Sequence, residues 1–511
     1  MPPDPGQPAR RPKSGAPTPP SAVPGRRLRT WWPRVRASTR STPARVWTLT
    51  LLCVLAVAGL FGSASVTLNQ ARGGLEVLDE GAGRQAMNTT DLYLNLAAMD
   101  ASVADVLLMG TDHDLGSGRE AAMDRYVTSR REANEALLQV ASLTSQDGDA
   151  QENARENVQA LMNGMGAYEQ EVGRALLINR EAEAPPGEVD AEALAEYSDA
   201  TQRMHTELLP KAFNLGLESS AIVRQSHEDG RGAVTGGRVV VGVVGAVTVA
   251  SLLALQLYLR VRFRRRFNAP LLVATAGSVV LTVGAVLALS GSAAHEHRAK
   301  NDGMDAAMAL SRAKAIATDM QADQSRFLID DDHADTYRQV YLERAQQVLF
   351  RPVSTLPGYY EAVGEIPDAY PELPGSGVPD EEDPGTLGYL GEDAQRALLE
   401  DHDAENALEE VLTTFVALQE ADESLREAVA DGDTARAIDI RMRVADTENG
   451  LFRQHTDALD VLVSAHTNEF DAGIHDGRSA LSPWVLGLPV GALALFALVV
   501  VGVRPRLAEY R

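Results

Sequence analysis

The sequence predicts an all-α membrane protein, with four transmembrane helices holding two extracytoplasmic four-helix bundles arranged as an internal repeat. Three observations predict it. Residues 46–71, 239–259, 267–294 and 481–503 are apolar and free of charge, each above the roughly 20 residues a helix needs to cross a bilayer. Charge is sorted around them, so the net −24 averages basic short segments with acidic long ones. Within the long segments apolar residues recur at helical spacing, and the β-branched alternation of strands is rare.

Residues 1–45 carry ten Lys/Arg against the single acid Asp4 and are rich in proline. This composition predicts a disordered tail lying on anionic membrane lipid. Ser38, Thr39, Ser41 and Thr42 alternate with Arg36 and Arg40, which makes them candidates for phosphorylation by, or docking of, a cytoplasmic kinase. The first span, 46–71, holds Cys53, the only cysteine. Neither an intramolecular disulfide nor a cysteine metal site can form. A signal peptide cleaved near residues 62–64 is the alternative reading, but the uncharged run continues to Arg72, beyond an h-region's length. A retained span is expected.

Residues 72–238 form the first outer segment; from 72 to 231 it has 29 acids against 13 bases. Helices are expected near 65–109, 119–143, 150–183 and 190–228, separated by Gly-, Asp- and Pro-rich breaks. After the span 239–259, the hairpin 260–266 carries Arg260, Arg262, Arg264, Arg265 and Arg266. These arginines, the basic tail and the stub 504–511 fall on one side of the membrane. The positive-inside rule then places both termini in the cytoplasm of a multi-pass plasma-membrane protein.

Beyond the span 267–294 lies the second outer segment, 295–480, with 40 acids against 15 bases from 295 to 478. Helices are expected near 290–329, 335–350, 391–430 and 433–474, with a Pro-rich acidic insertion at 351–386 read as irregular chain. In the last of these, Ile438, Ala445, Phe452, Leu459 and His466 recur every seven residues. Met442, Asn449, Thr456, Val463 and Phe470 make a second row, and together the rows predict a continuous bundle seam. Asn449 and His466 are its polar members. They serve either to fix register or to contact a ligand, and they are the ligand-site candidates.

Short echoes support duplication. Asp112-His113 and Asp332-His333 each follow an apolar helix end, and His227-Glu-Asp-Gly-Arg231 and His475-Asp-Gly-Arg478 each precede a span. Small residues also recur at helical spacing within the spans, as Gly242/Ala246/Ala250/Ala254, Gly277/Gly284/Gly291 and Gly487/Gly491. Such stripes favour close helix packing in lipid.

The motifs of catalysis are missing from the sequence. It holds no nucleophile–base signature, phosphate loop, dinucleotide fingerprint or HExxH zinc motif, so neither an enzyme nor a cofactor is expected. His295-Glu296-His297 splays its two rings on a helix, and the Asp-rich turns at 112–114 and 330–333 lack the Gly and Glu of a calcium loop. No metal site is therefore predicted. The acidic balance argues against nucleic acid, and uncharged spans argue against ion-coupled transport. What is left is a receptor or signal relay, with self-association left open.

A span–bundle–span unit resembles the sensor domains of bacterial chemoreceptors and histidine kinases. Two units in tandem with short basic cytoplasmic ends resemble the GlnX-type membrane proteins of actinobacteria. That resemblance implies a relay between an extracytoplasmic amino-acid-binding lipoprotein and a cytoplasmic serine/threonine kinase, and it carries over no individual residues. Direct capture of an acidic amino acid is not expected, because arginine is thinly spread through both acidic segments. A direct small-molecule receptor of the chemoreceptor sensor type, or a non-catalytic structural or transport-associated membrane subunit, is the alternative.

Overall fold

The computed structural model describes residues 42–112, 115, 117–143, 149–263, 268–366, 388–390 and 402–508, and among them it contains helices and no strand. In chain order the helices are α1 (Thr42–Asp79), α2 (Ala82–Met109), α3 (Gly118–Leu143), α4 (Asp149–Glu181), α5 (Ala191–Arg203), α6 (Leu209–Phe263) and α7 (Ala269–Arg298). There follow α8 (Ala306–Ile329), α9 (Ala334–Val348), α10 (Leu356–Gly364), α11 (His402–Ala430), α12 (Thr434–Val444) and α13 (Leu451–Ala508). Wider π turns, Met204–Leu208 and Ala299–Asp305, join α5 to α6 and α7 to α8.

Four helical stretches are long and apolar enough to cross a membrane. Their apolar parts lie in α1, α6, α7 and α13, which pack side by side in that order, with α13 returning to α1. Cys53, Leu60, Leu255, Ala274, Ala285, Leu488 and Leu495 fill the middle, while Leu55, Val243, Leu257, Val280, Leu486 and Leu493 face outward. Helices apolar on every side are built for an apolar surround. Small residues set two of the contacts. Gly284 lies under the Trp484 indole and Gly245 against Thr282, and a side chain at either glycine would collide. Gly242, Gly291 and Gly487 face open space, so the small-residue stripes are only partly contact surfaces.

The two outer segments do not form two self-contained bundles. Helix α2 packs on α3, α6 and α8, and one core combines Leu96, Val103 and Leu107 of α2 with Ala322, Phe327 and Leu328 of α8, Leu425 of α11 and Ile438 of α12. A second core, including Leu310, Tyr341, Tyr359, Phe415 and Leu459, belongs to the later segment alone. Helices α2 and α8 are therefore central, and α8 is buried along almost its whole length.

Three expectations need correction. The seam at 433–474 is not one helix: α12 ends at Val444, and Asp446 accepts hydrogen bonds from the backbone N–H groups of Glu448 (2.9 Å) and Asn449 (2.8 Å). This Asx-type turn competes with the helix and splits the row, sending Ile438 to one core and Leu459 to the other. The insertion is not wholly irregular, since α10 lies inside it. Thr355 caps α10, Pro357 falls in its first turn, and Leu356, Tyr359, Tyr360 and Val363 are buried. Residues 367–387 lie outside the described residues. The first expected helix is also interrupted, at Glu80–Gly81, between α1 and α2.

Candidate functional site: a charged junction flanked by two cavities

Helices α2 and α8 each carry charge into the shared core. On α8, Asp319, Asp323 and Arg326 follow i, i+4, i+7 spacing, which puts all three on one helical face. Helix α2 contributes Asp100 and Asp105. Arg326, only 2% exposed, forms ion pairs with Asp100 and, through Nη1 at 2.8 Å, with Asp323. Its Nε donates to the Tyr197 hydroxyl oxygen at 3.2 Å. Tyr168 and Thr201 donate to the other Asp100 oxygen at 3.1 and 3.2 Å. Arg344 of α9 pairs with Asp323 and lies 3.8 Å from Asp319. His205, in the first π turn, accepts at Nδ1 from Arg344 (3.3 Å) and turns Nε2 toward Asp100 at 3.6 Å. An arginine has only donors, so Nδ1 must be unprotonated in this contact.

The second half of the junction is organised around Asp105. Arg441 of α12, 1% exposed, donates to Asp105 at 2.6 Å, and Arg125 of α3 donates to the other oxygen at 3.2 Å. Arg441 also reaches the Gln321 carbonyl (3.1 Å) and the Ser325 hydroxyl (2.9 Å), while Ser325 donates to Asp105 at 2.9 Å. Four guanidiniums thus meet four carboxylates in the core. Burial pushes the Asp100 carboxyl up, but Arg326, assisted by His205 and Tyr168, outweighs it and holds it at about 2. Asp422 gathers a further cluster, accepting from Tyr360, Gln324 (2.9 Å) and Arg426 (2.8 Å).

A cavity opens on each side of the junction. The first, about 380 Å³, lies among α2, the start of α6, α8 and α9, and Tyr93, Phe213, Arg312, Asp319 and Arg344 line it. The second, about 470 Å³, lies among α8, α12, the start of α13, α2 and α3. Ser102, Asp105, Arg125, Gln321 and Arg441 are in its wall. Both lie within the size range of small-molecule sites.

The residues singled out from sequence lie elsewhere. Asn449 is exposed in the Asp446 turn, off any helix seam, and does not line either cavity. His466 is buried and outside both cavities; its Nδ1 meets the Asp302 carbonyl in the second π turn. Burial pushes the His466 imidazole below its ordinary range, against the pull of Asp302. It ties α13 to the α7–α8 joint. Arg260 is exposed near the end of α6, Arg262 falls in its last turn, and Arg264, Arg265 and Arg266 lie outside the described residues, as do Ser38, Thr39 and Ser41. Thr42 begins α1. Glu296 turns inward to His227 at 3.2 Å, leaving His295 and His297 without the carboxylate between them. Among the described residues no group of three or more His, Cys, Asp or Glu is placed to hold a metal.

Residues 74–228 match the family of actinobacterial sensor domains. The matched stretch supplies Asp100, Asp105, Arg125 and His205, hence part of both cavities. No curated protein and no solved structure matches the chain.

Proposed function

We propose that the chain is a transmembrane signal relay whose outer body senses an extracytoplasmic ligand, or a ligand-loaded binding lipoprotein, and passes the state of its junction to a cytoplasmic partner such as a serine/threonine kinase. The observation that carries this reading is continuity. Helix α6 runs 55 residues and α13 runs 58, each from the rim of the charged junction through its apolar stretch, without a break. The sensor-domain match supports the sensing half.

A ligand that favours one arrangement of the junction shifts the packing of these helices by its differential affinity. Shifts of roughly 1–2 Å in packed helices are the usual scale. The basic flanks orient the ring with both termini and the Arg-rich hairpin in the cytoplasm. An internal repeat is supported in part by the cavities: one lies among α2, α6, α8 and α9, the other among α8, α12, α13, α2 and α3, so α2 and α8 exchange roles while α12 has no counterpart.

Topology and relay are tested together. The sole native cysteine is buried, so a cysteine placed at Glu192 or Glu361 should react with impermeant maleimide in intact cells, and one at Ser14 should not. Labelling at Ser14 alone would invert the orientation. Adding extracytoplasmic amino acid should change kinase-dependent phosphorylation only when the chain is present. An identical response in cells lacking it would remove the relay.

A further inference from the structure

We infer that the larger cavity is a binding site for a small carboxylate, held by Arg125 and Arg441. The argument begins with charge. Around Asp105 two guanidiniums share one carboxylate, Arg441 at 2.6 Å and Arg125 at 3.2 Å. The neighbouring half is the reverse: Arg326 and Arg344 face Asp100, Asp319 and Asp323. The junction is neutral as a whole; around Asp105 itself the guanidiniums outnumber the carboxylate, while Asp124, Asp446 and Arg453 add two acids and one base to the wall of the larger cavity.

Hydrogen bonding points the same way. Arg441 Nη1, Arg125 Nη1 and Gln321 Oε1 are buried with no partner among the described residues, and all three side chains line this cavity. Arg441 and Gln321 are each more than nine-tenths buried. A buried guanidinium nitrogen left unpaired forfeits the hydrogen bond it would make in water, a deficit that an anionic acceptor removes. Burial pushes the Arg441 guanidinium below its ordinary range; Asp105 pulls it up and Arg125 pushes it down again.

Carboxylate is the anion that fits. Two guanidiniums converging on one carboxylate leave edges that accept a second planar, two-oxygen group in the same fork geometry. The rest of the wall supplies hydroxyls, from Ser102, Thr128 and Ser129, and the unpaired Gln321 amide oxygen. These suit the polar substituents of an amino or hydroxy acid, and Oε1 can accept only from a donor such as an ammonium or hydroxyl. About 470 Å³ holds such a molecule. Arginines that stand far apart in the sequence, Arg125 and Arg441, are brought together here by the fold.

The site rests on the sensing reading only for its consequence, not for binding itself. Full-length protein in nanodiscs, titrated calorimetrically with acetate, succinate, L-glutamate, L-aspartate and inorganic phosphate, should bind at least one of the carboxylates saturably. Arg125→Gln, whose side chain is partly exposed, and Ala98→Leu, which fills the cavity, should weaken that binding roughly tenfold or more, with the circular dichroism and melting of the parent retained. Arg441→Gln should do the same if it folds. No carboxylate binding, binding of phosphate alone, or binding that survives both Arg125→Gln and Ala98→Leu would overturn the assignment. Carboxylate binding with no change in kinase-dependent phosphorylation leaves the site standing and removes the relay. A response that persists in the non-binding variants does the opposite.

Discussion

Asp100 and Arg326 show what a single buried charge does here. Buried ion pairs add little net stability over a well-packed apolar pair, but losing one partner strands the other. Arg326→Met should therefore destabilise the protein by about 3–5 kcal/mol, and combining it with Asp100→Asn should cost less than the two changes summed. Denaturant unfolding of the three variants checks this; simple additivity would deny the coupling. The Asp100 carboxyl is held at about 2 against an ordinary 3.8, so its contribution is complete above 3.8 and lost only as pH falls toward 2. His455 titrates sooner. It is wholly buried beside Thr414 (3.0 Å), and burial pushes its imidazole from 6.5 down to about 4. Being neutral in the fold, it contributes fully above 6.5 and progressively less as pH falls to about 4, by roughly 3 kcal/mol at most. His455→Leu should flatten the melting temperature over that interval; His466, also pushed down by burial, retains part of the slope. A variant with the parent's full acid sensitivity would rule His455 out. None of this was visible from local pattern alone, yet one signal was present: Asp319, Asp323 and Arg326 stand on one face of a helix otherwise rich in alanine and apolar residues. Charges placed so on a helix with that composition have to find partners, and only the tertiary fold says where.

At the scale of elements, the long apolar stretches were legible because length and the absence of charge decide them without tertiary help. Elements whose identity depends on contacts were not. The Pro-rich stretch hid α10, which exists because Tyr359 and Tyr360 are anchored, the former by donating to the Ala345 and Leu349 carbonyls at 2.8 Å each. Deleting residues 356–364 should abolish cooperative unfolding of the outer body, since it removes four side chains from a core. A deletion protein with an undiminished unfolding transition would return α10 to the status of a loop. The π turns were equally hidden. Pro210 lacks the N–H that would meet the Thr206 carbonyl, and the turn before it widens, with the Leu209 N–H reaching Met204. In the second, Gly303 lets the backbone of Phe470 approach so closely that a Cβ would stand 2.6 Å from its Cα. Gly303→Val should therefore separate α13 from the α7–α8 joint and destabilise by about 1–3 kcal/mol. Melting curves and loss of a disulfide engineered between these helices would register it.

For the whole molecule, the sequence suggests two like units, and the structure makes them interdependent. Asp100 and Asp105 come from the first outer segment, while Arg326, Arg344 and Arg441 come from the second. Each segment in isolation would leave one buried charge without its ion-pair partner, Asp100 without Arg326 in the first and Arg441 without Asp105 in the second, or expose it along with Leu96, Val103 and Phe327. Either alternative costs several kcal/mol per ion, comparable to the whole stability of a typical domain. Residues 72–231 and 295–478, expressed separately without their spans, should each be poorly folded, with shallow non-cooperative melts. Mixing them, or joining them by a flexible linker, should restore a sharp transition, and Arg441→Met together with Arg326→Met should prevent the restoration. Two fragments that each melt cooperatively on their own, with no gain on mixing, would mean that the units stand alone and that the charged junction is only where they touch.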